Sequence, residues 1–113
     1  MNERDHEAQW TRVAPASDIE PGSAITVPGV TPAVAVFNVD GEFLSTADTC
    51  THAESALSEG FIEGATVECE FHFAKFCLRT GTALTAPATV AIDVYPVKVE
   101  NGDVYVDVSG PRH

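Results

Sequence analysis

Two short clips of metal-binding side chains constrain this chain more than any other feature of its sequence. Cys50 and His52 form the first clip, and Cys69 and His72 form the second, after a gap of sixteen residues. Thiolates suit iron–sulfur clusters, zinc and Cu(I), whereas imidazoles suit zinc, copper and iron. A set with two of each predicts a metal centre. The spacing argues against unrelated core cysteines and scattered surface histidines.

The distribution of the ligands separates the two chemistries that such a set allows. A structural zinc module usually has two cysteines in one clip and two histidines in the other, with about three to five residues between the histidines. Here each clip holds one cysteine and one histidine. This interleaving favours a [2Fe-2S] cluster in which two cysteines hold one iron and two histidines replace the thiolates on the other. A zinc-stabilised structural module with the same four ligands remains the alternative.

The residues around the clips resemble a known family over residues 43–108, and more loosely over the whole chain. Residues 50–60 are similar to the first cluster loop of the Rieske-type [2Fe-2S] ferredoxins of bacterial aromatic-ring-hydroxylating dioxygenase systems. Residues 67–81 resemble the second loop and the next strand of these ferredoxins, with features of the biphenyl and phenylpropionate types. This second stretch is the more specific match.

The resemblance assigns a role to each ligand. It implies that Cys50 and Cys69 hold the inner iron of one Rieske-type cluster. It also implies that His52 and His72 hold the outer iron close to solvent. The same four residues are the cofactor-binding and metal-binding site that we expect.

The neighbours of the ligands indicate a low-potential cluster. Respiratory-chain Rieske proteins resemble this pattern but add a cysteine to each loop, where this chain has Ser55 and Phe71. Those proteins also place serine and tyrosine hydroxyls near the cluster sulfurs, where this chain has Ala74 and Phe76. Hydrogen bonds to sulfur stabilise the reduced cluster, so we expect a potential near the bottom of the Rieske range, roughly −150 mV. The third cysteine, Cys77, has no partner for a disulfide and is expected to be a buried strand thiol.

Alternating apolar residues and closely spaced turn residues predict strands throughout the chain. We expect strands at 10–14 and 24–27 and two hairpins, of which the first turns at Asp40-Gly41 between 33–38 and 42–46. The second turns at Asn101-Gly102 between 94–100 and 104–108. Pro87 and Pro96 should mark edges or irregular joins in the late strands.

The pattern and the resemblance together predict an all-β Rieske fold. We expect one domain spanning 1–113, built on an antiparallel β-sandwich base from 1–45 and 85–113. A small inserted subdomain, at about 46–84, should bind the cluster. A length of 113 residues with 44% hydrophobic residues is enough for one modest core.

Charge and hydropathy limit the partners. The net charge of −11 argues against nucleic acid and anionic membranes, and favours docking to basic protein faces. No apolar run approaches the roughly 18 residues that a membrane span needs, and the first residues are too charged for a signal peptide. We therefore expect a cytoplasmic protein.

The ligand set also limits the chemistry. Four protein ligands fill both irons, so no position is open for substrate or oxygen, and the cluster can only pass one electron. His6 and His113, the remaining histidines, are terminal and expected to be solvated, and we predict no catalytic residue.

The resemblance implies an electron-transfer chain. Electrons would pass from NAD(P)H through a flavin-dependent ferredoxin reductase to this protein, and then to a terminal oxygenase. Both contacts should be transient and the protein monomeric. A Rieske-like small subunit of a larger oxidoreductase, such as nitrite reductase, is a further alternative.

Overall fold

The computed structural model describes residues 9–30, 32–48, 56–69, 74–85 and 91–109. These residues form ten strands: β1 (Trp10–Pro15), β2 (Ala24–Thr26), β3 (Val34–Val39), β4 (Glu42–Ala47), β5 (Phe61–Glu63), β6 (Thr66–Glu68), β7 (Lys75–Cys77), β8 (Val94–Tyr95), β9 (Val97–Glu100) and β10 (Asp103–Asp107). Short 3-10 turns lie at Ala16–Asp18 and Leu57–Glu59. No helix in the described ranges is long and apolar enough to cross a membrane. The expected all-β class is confirmed.

The strands form three antiparallel sheets, with the orders β1-β10-β9, β2-β3-β4-β8 and β5-β6-β7. β3 lies in the second sheet and is buried along its whole length. Successive side chains of a strand point to opposite faces, so a strand that is buried along its whole length is covered on both sides. β3 is therefore covered on both of its faces.

The two faces of β3 contribute to two different cores. Val34 and Val36 belong to a core shared with the first sheet, which also contains Val13, Ile19, Val27, Val104 and Val106. Ala35, Phe37 and Val39 belong to a core shared with the small third sheet, which also contains Leu57, Val67, Cys69, Ala74, Phe76, Leu78 and Ile92. The sandwich thus supports the small sheet directly, and one of the predicted ligands is part of the shared core.

Both predicted hairpin turns are present. Asp40 and Gly41 have φ values of 51° and 95°, and Asn101 and Gly102 have φ values of 53° and 83°. Positive φ at both central residues is the backbone of a two-residue type I′ turn. These dipeptides therefore set the two hairpins by local conformational preference.

The late strand predicted at 94–100 is divided at Pro96. β8 pairs with β4, whereas β9 pairs with β10 in a different sheet. Proline has no backbone N–H to donate to a ladder, so the chain can change sheets there without losing that hydrogen bond. This confirms the irregular join expected at Pro96, while Pro87 lies outside the described residues.

Candidate metal centre

The second predicted cluster loop is carried between two paired strands. Glu68, at the end of β6, pairs with Lys75, at the start of β7. One residue beyond this pair, the backbone N–H of Cys69 donates to the carbonyl of Ala74 at 2.7 Å. The ladder therefore closes the base of the segment that contains His72, which itself lies outside the described residues.

Cys69 is the one predicted ligand that the structure describes, and its side chain is completely buried. It packs in the same core as Val67 and Phe76 and forms no disulfide. A sulfur shielded from water suits the inner iron of a cluster, because burial and dielectric around the sulfurs help to set the cluster potential. The described residue therefore fits the role that the resemblance assigns to it.

The ends of the first predicted cluster loop are also held together. β4 ends at Ala47, and the next residue, Asp48, donates its N–H to the carbonyl of Ala33 at 2.9 Å. The carbonyl of Asp48 accepts from the N–H of Leu57 at 2.6 Å. Cys50 and His52 belong to the segment between these anchors and lie outside the described residues.

The side chain of Asp48 strengthens this closure. It is 3% exposed. Its Oδ1 accepts from the backbone N–H of Ser58 at 2.8 Å. Its Oδ2 accepts from the hydroxyl of Ser58 at 3.1 Å and from that of Thr26 at 2.8 Å. Donors to charged acceptors make the stronger class of hydrogen bonds, so this carboxylate ties the loop base to β2.

Asp48 was not among the functional residues predicted from the sequence. Its only signal is its position two residues before Cys50, and aspartate at the end of a strand is common in turns. The donors that give the carboxylate its role come from distant parts of the chain, so no local pattern marks the residue.

The two residues on which the low-potential prediction rests lie near Cys69. Ala74 and Phe76 are both completely buried in the core that contains Cys69. Neither side chain carries a hydroxyl that could donate to sulfur. The expected low potential itself remains a prediction.

The prediction that Cys77 is a buried thiol is wrong. Cys77 lies on β7 as expected, but its side chain is only partly buried. Phe76 and Leu78 point into the core, so alternation turns Cys77 to the other face. There, a hydrogen bond with the Thr80 side chain lowers the pKa of the Cys77 thiol below its ordinary value.

The complete ligand set remains a prediction. Cys50, His52 and His72 lie outside the described residues, as do the terminal His6 and His113. Within the described ranges, no group of three or more histidine, cysteine or acidic side chains could hold a metal ion. That part of the chain contains only one of the four predicted ligands.

The structure is that of a small antiparallel β protein with the buried free thiol of Cys69 at the base of a closed loop. Comparison with known proteins narrows this class. A family model described as the Rieske [2Fe-2S] domain matches residues 9–96. The chain therefore belongs to the Rieske [2Fe-2S] domain family, and its cofactor is one Rieske-type [2Fe-2S] cluster.

Individual relatives show a more specific similarity. The biphenyl dioxygenase ferredoxin subunit of Pseudomonas sp. (strain KKS102) is 45% identical over 101 residues, covering 88% of this chain and 93% of the relative. The 3-phenylpropionate/cinnamic acid dioxygenase ferredoxin subunit of Escherichia coli (strain K12) is 46% identical over 95 residues, covering 83% and 89%. The resemblance to these two ferredoxin types is confirmed.

A solved structure agrees with the fold. The complex of reduced oxygenase and oxidized ferredoxin in carbazole 1,9a-dioxygenase contains a chain that superimposes with a TM-score of 0.87 at 38% identity. The match covers 95% of this chain and 99% of that one. The expected Rieske fold is therefore confirmed.

Proposed function

We propose that this protein is a one-electron carrier that receives electrons from an NAD(P)H-dependent flavin reductase. It delivers them to the terminal oxygenase of an aromatic-ring-hydroxylating dioxygenase system. The observation that carries the proposal is the 45% identity to a biphenyl dioxygenase ferredoxin subunit over 88% of this chain. Because that relative is matched over 93% of its own length, the likeness concerns a whole carrier and not a shared fragment.

Cys50, His52, Cys69 and His72 are the residues that would hold the cluster. When bound, the cluster supplies a centre that accepts and releases one electron. The buried position of Cys69 would keep water away from its sulfur. The closed loop bases at Asp48 and Ala74 would hold the ligand-bearing segments in place. We propose that Cys50 and Cys69 hold the inner iron, and that the histidines hold the outer iron at the surface.

We propose that the protein is a component of an enzyme system without a catalytic site of its own, because four protein ligands would leave no iron position open. We propose a monomer that contacts both partners transiently and binds neither nucleic acid nor membranes. A net charge of −11 supports docking to basic protein faces. We propose a cytoplasmic location, which fits an NAD(P)H-dependent reductase as the partner.

The proposed domain organisation is a single Rieske domain over 1–113, with its cluster-binding subdomain at about 46–84. The sheet β5-β6-β7 lies inside that range and supports this division. The alternatives are less favoured: the family match disfavours a zinc module, and the dioxygenase ferredoxin relatives disfavour a nitrite reductase subunit.

The ligand assignment is tested on the purified holoprotein by low-temperature electron paramagnetic resonance after anaerobic reduction. We expect a rhombic signal with an average g value below that of all-cysteine ferredoxins. Cys69→Ser should abolish or alter this signal, whereas Cys77→Ser should preserve it, because Cys77 lies on the opposite face of β7. A colourless protein that contains zinc would contradict the proposal.

The electron-carrier role is tested by mixing the reduced holoprotein with an oxidised terminal oxygenase and following reoxidation of the cluster. The oxygenases of the biphenyl, phenylpropionate and carbazole systems serve as probes. We expect at least one of them to be reduced, and to support product formation when NADH and its reductase are added. Failure with all three would count against the proposed function.

A further inference from the structure

The small sheet presents one row of side chains next to Cys69 and Ala74, the described ends of the second cluster loop. Phe61 pairs with Glu68, and Glu68 pairs with Lys75. Leu84 continues the row, because its N–H donates to the carbonyl of Lys75 at 2.7 Å. We call Phe61, Glu68, Lys75 and Leu84 the outer row.

The outer row points away from the core. The adjacent row contains Val67 and Phe76, which are fully buried, and Ile62 and Ala83, which pack against the same core. Side chains alternate between the two faces of a sheet, so the outer row must lie on the opposite face. Glu68 is one residue from Cys69 and Lys75 is one residue from Ala74. These two members of the row therefore lie about 3.3 Å along their strands from the ends of the loop that contains His72.

Exposed apolar side chains occupy both ends of the outer row. Phe61 is 63% exposed and Leu84 is 48% exposed. The other large apolar side chains exposed in the described ranges, Trp10 and Val99, belong to the first sheet. Three strand spacings separate Phe61 from Leu84, or about 14 Å at roughly 4.8 Å per spacing.

Acidic side chains outnumber basic ones around Phe61 and Leu84 in the described residues. Glu63 is exposed on the same face as Phe61, and Glu68 lies within the row. Lys75 is the nearby cation. Among the described residues it forms no salt bridge, whereas Arg12, Arg79 and Lys98 are all paired with carboxylates. The row and the neighbouring Glu63 therefore offer two apolar anchors, two carboxylates and a lysine that forms no salt bridge among the described residues.

We propose that the outer row is the surface on which the terminal oxygenase docks. Phe61 and Leu84 would fill apolar depressions on the oxygenase, and basic side chains of the oxygenase would face Glu63 and Glu68. This inference rests on the proposed function. A related ferredoxin has been solved together with its oxygenase, which supports an oxygenase as the occupant of the surface. A patch of this size suits the small interfaces of transient redox complexes.

The test uses the holoprotein with Phe61→Ser or Leu84→Ser, and Val99→Ser as the matched control. Val99 is 50% exposed, but it lies on β9, in a different sheet. The anaerobically reduced protein is mixed with increasing concentrations of the probe oxygenase that accepts electrons from the wild type. Burial of a few central side chains dominates most interfaces, so each variant should lower the second-order rate constant by about tenfold.

Three further measurements show whether the lower rate constant comes from docking alone. The electron paramagnetic resonance signal, the reduction potential and the rate at saturating oxygenase should equal those of the wild type. Val99→Ser should be indistinguishable from the wild type in every measurement. Added salt should slow the bimolecular step, because the facing charges are screened.

Wild-type rate constants in both variants would overturn the docking assignment while leaving the carrier role intact. A loss confined to reduction by the flavin reductase would assign the row to that partner and refute the oxygenase assignment. A wild-type dimer that dissociates on Phe61→Ser, seen by sedimentation velocity, would assign the row to a second copy of the chain. Failure of the wild type with every oxygenase would instead overturn the proposed function itself.

Discussion

Replacement of Asp48 by alanine should destabilise the protein and release its cluster. The carboxylate accepts three hydrogen bonds from Ser58 and Thr26, at 2.8 to 3.1 Å. Without it, the two hydroxyls can still pair with each other, since they lie 3.3 Å apart. The partly buried backbone N–H of Ser58 would lose its acceptor, and leaving such a donor unsatisfied costs up to about 1–3 kcal/mol.

The magnitude follows from these contacts. Asp48→Ala should lower the free energy of unfolding by about 3–4 kcal/mol. The loss comes from the unsatisfied N–H of Ser58, the lost hydrogen bonds to a charged acceptor and the space left by the side chain. Asp48→Asn should cost about 1–2 kcal/mol, because its amide oxygen can still accept from the Ser58 N–H. Ser58→Ala should cost about 1 kcal/mol, because it removes a hydroxyl but keeps the backbone donor.

The assay is anaerobic urea titration of the holoprotein, with circular dichroism reporting the fold and visible absorbance reporting the cluster. Asn38→Ala is the matched control, since Asn38 is 4% exposed. It makes two polar bonds, of 2.6 and 2.7 Å, at the other end of the β3–β4 hairpin. Both alanine variants should lose stability, but only Asp48→Ala should lose the cluster before the fold. A cost for Asp48→Ala no larger than that for Ser58→Ala would refute the reasoning.

Three other expectations concern the loops and the turns. Ala74→Ser should raise the reduction potential, because the new hydroxyl can donate to a cluster sulfur. A hydrogen bond worth about 1 kcal/mol corresponds to a rise of about 40 mV. An unchanged potential in redox titration would count against this. Gly81→Ala should cost more than about 2 kcal/mol in urea titration, whereas Gly102→Ala should cost less, because both have positive φ but only at Gly81 would a Cβ meet a backbone carbonyl. The hydrogen bond from Arg79 lowers the pKa of the exposed Glu42, so the pair's small stabilising effect is present above the ordinary glutamate pKa and lost as pH falls through the lowered value. Titration by nuclear magnetic resonance should show the Glu42 pKa returning to its ordinary value in Arg79→Gln, and an unchanged pKa would contradict the assignment.

Local signals predicted much of the fold. Asp40-Gly41 and Asn101-Gly102 adopt the positive φ values of tight hairpin turns, and such preferences depend on the dipeptide itself. Pro96 marked the change of sheet because its backbone has no donor. The burial of Cys77 was not predictable in the same way. β7 has only three residues, so the apolar run around it does not show which face carries the thiol.

The sequence by itself predicted the cofactor of this protein, because two cysteines and two histidines in interleaved pairs suit few metal centres, and the metal preference of a side chain depends on its own chemistry. Only the tertiary structure decided how the cluster loops are supported and which surface lies beside them. Asp48 acquires its role from Thr26 and Ser58, which are 22 and 10 residues away in the chain. The outer row exists because strand register brings Phe61 and Leu84 onto one face. Both features depend on contacts between distant segments, which form only when the strands pair and the cores close.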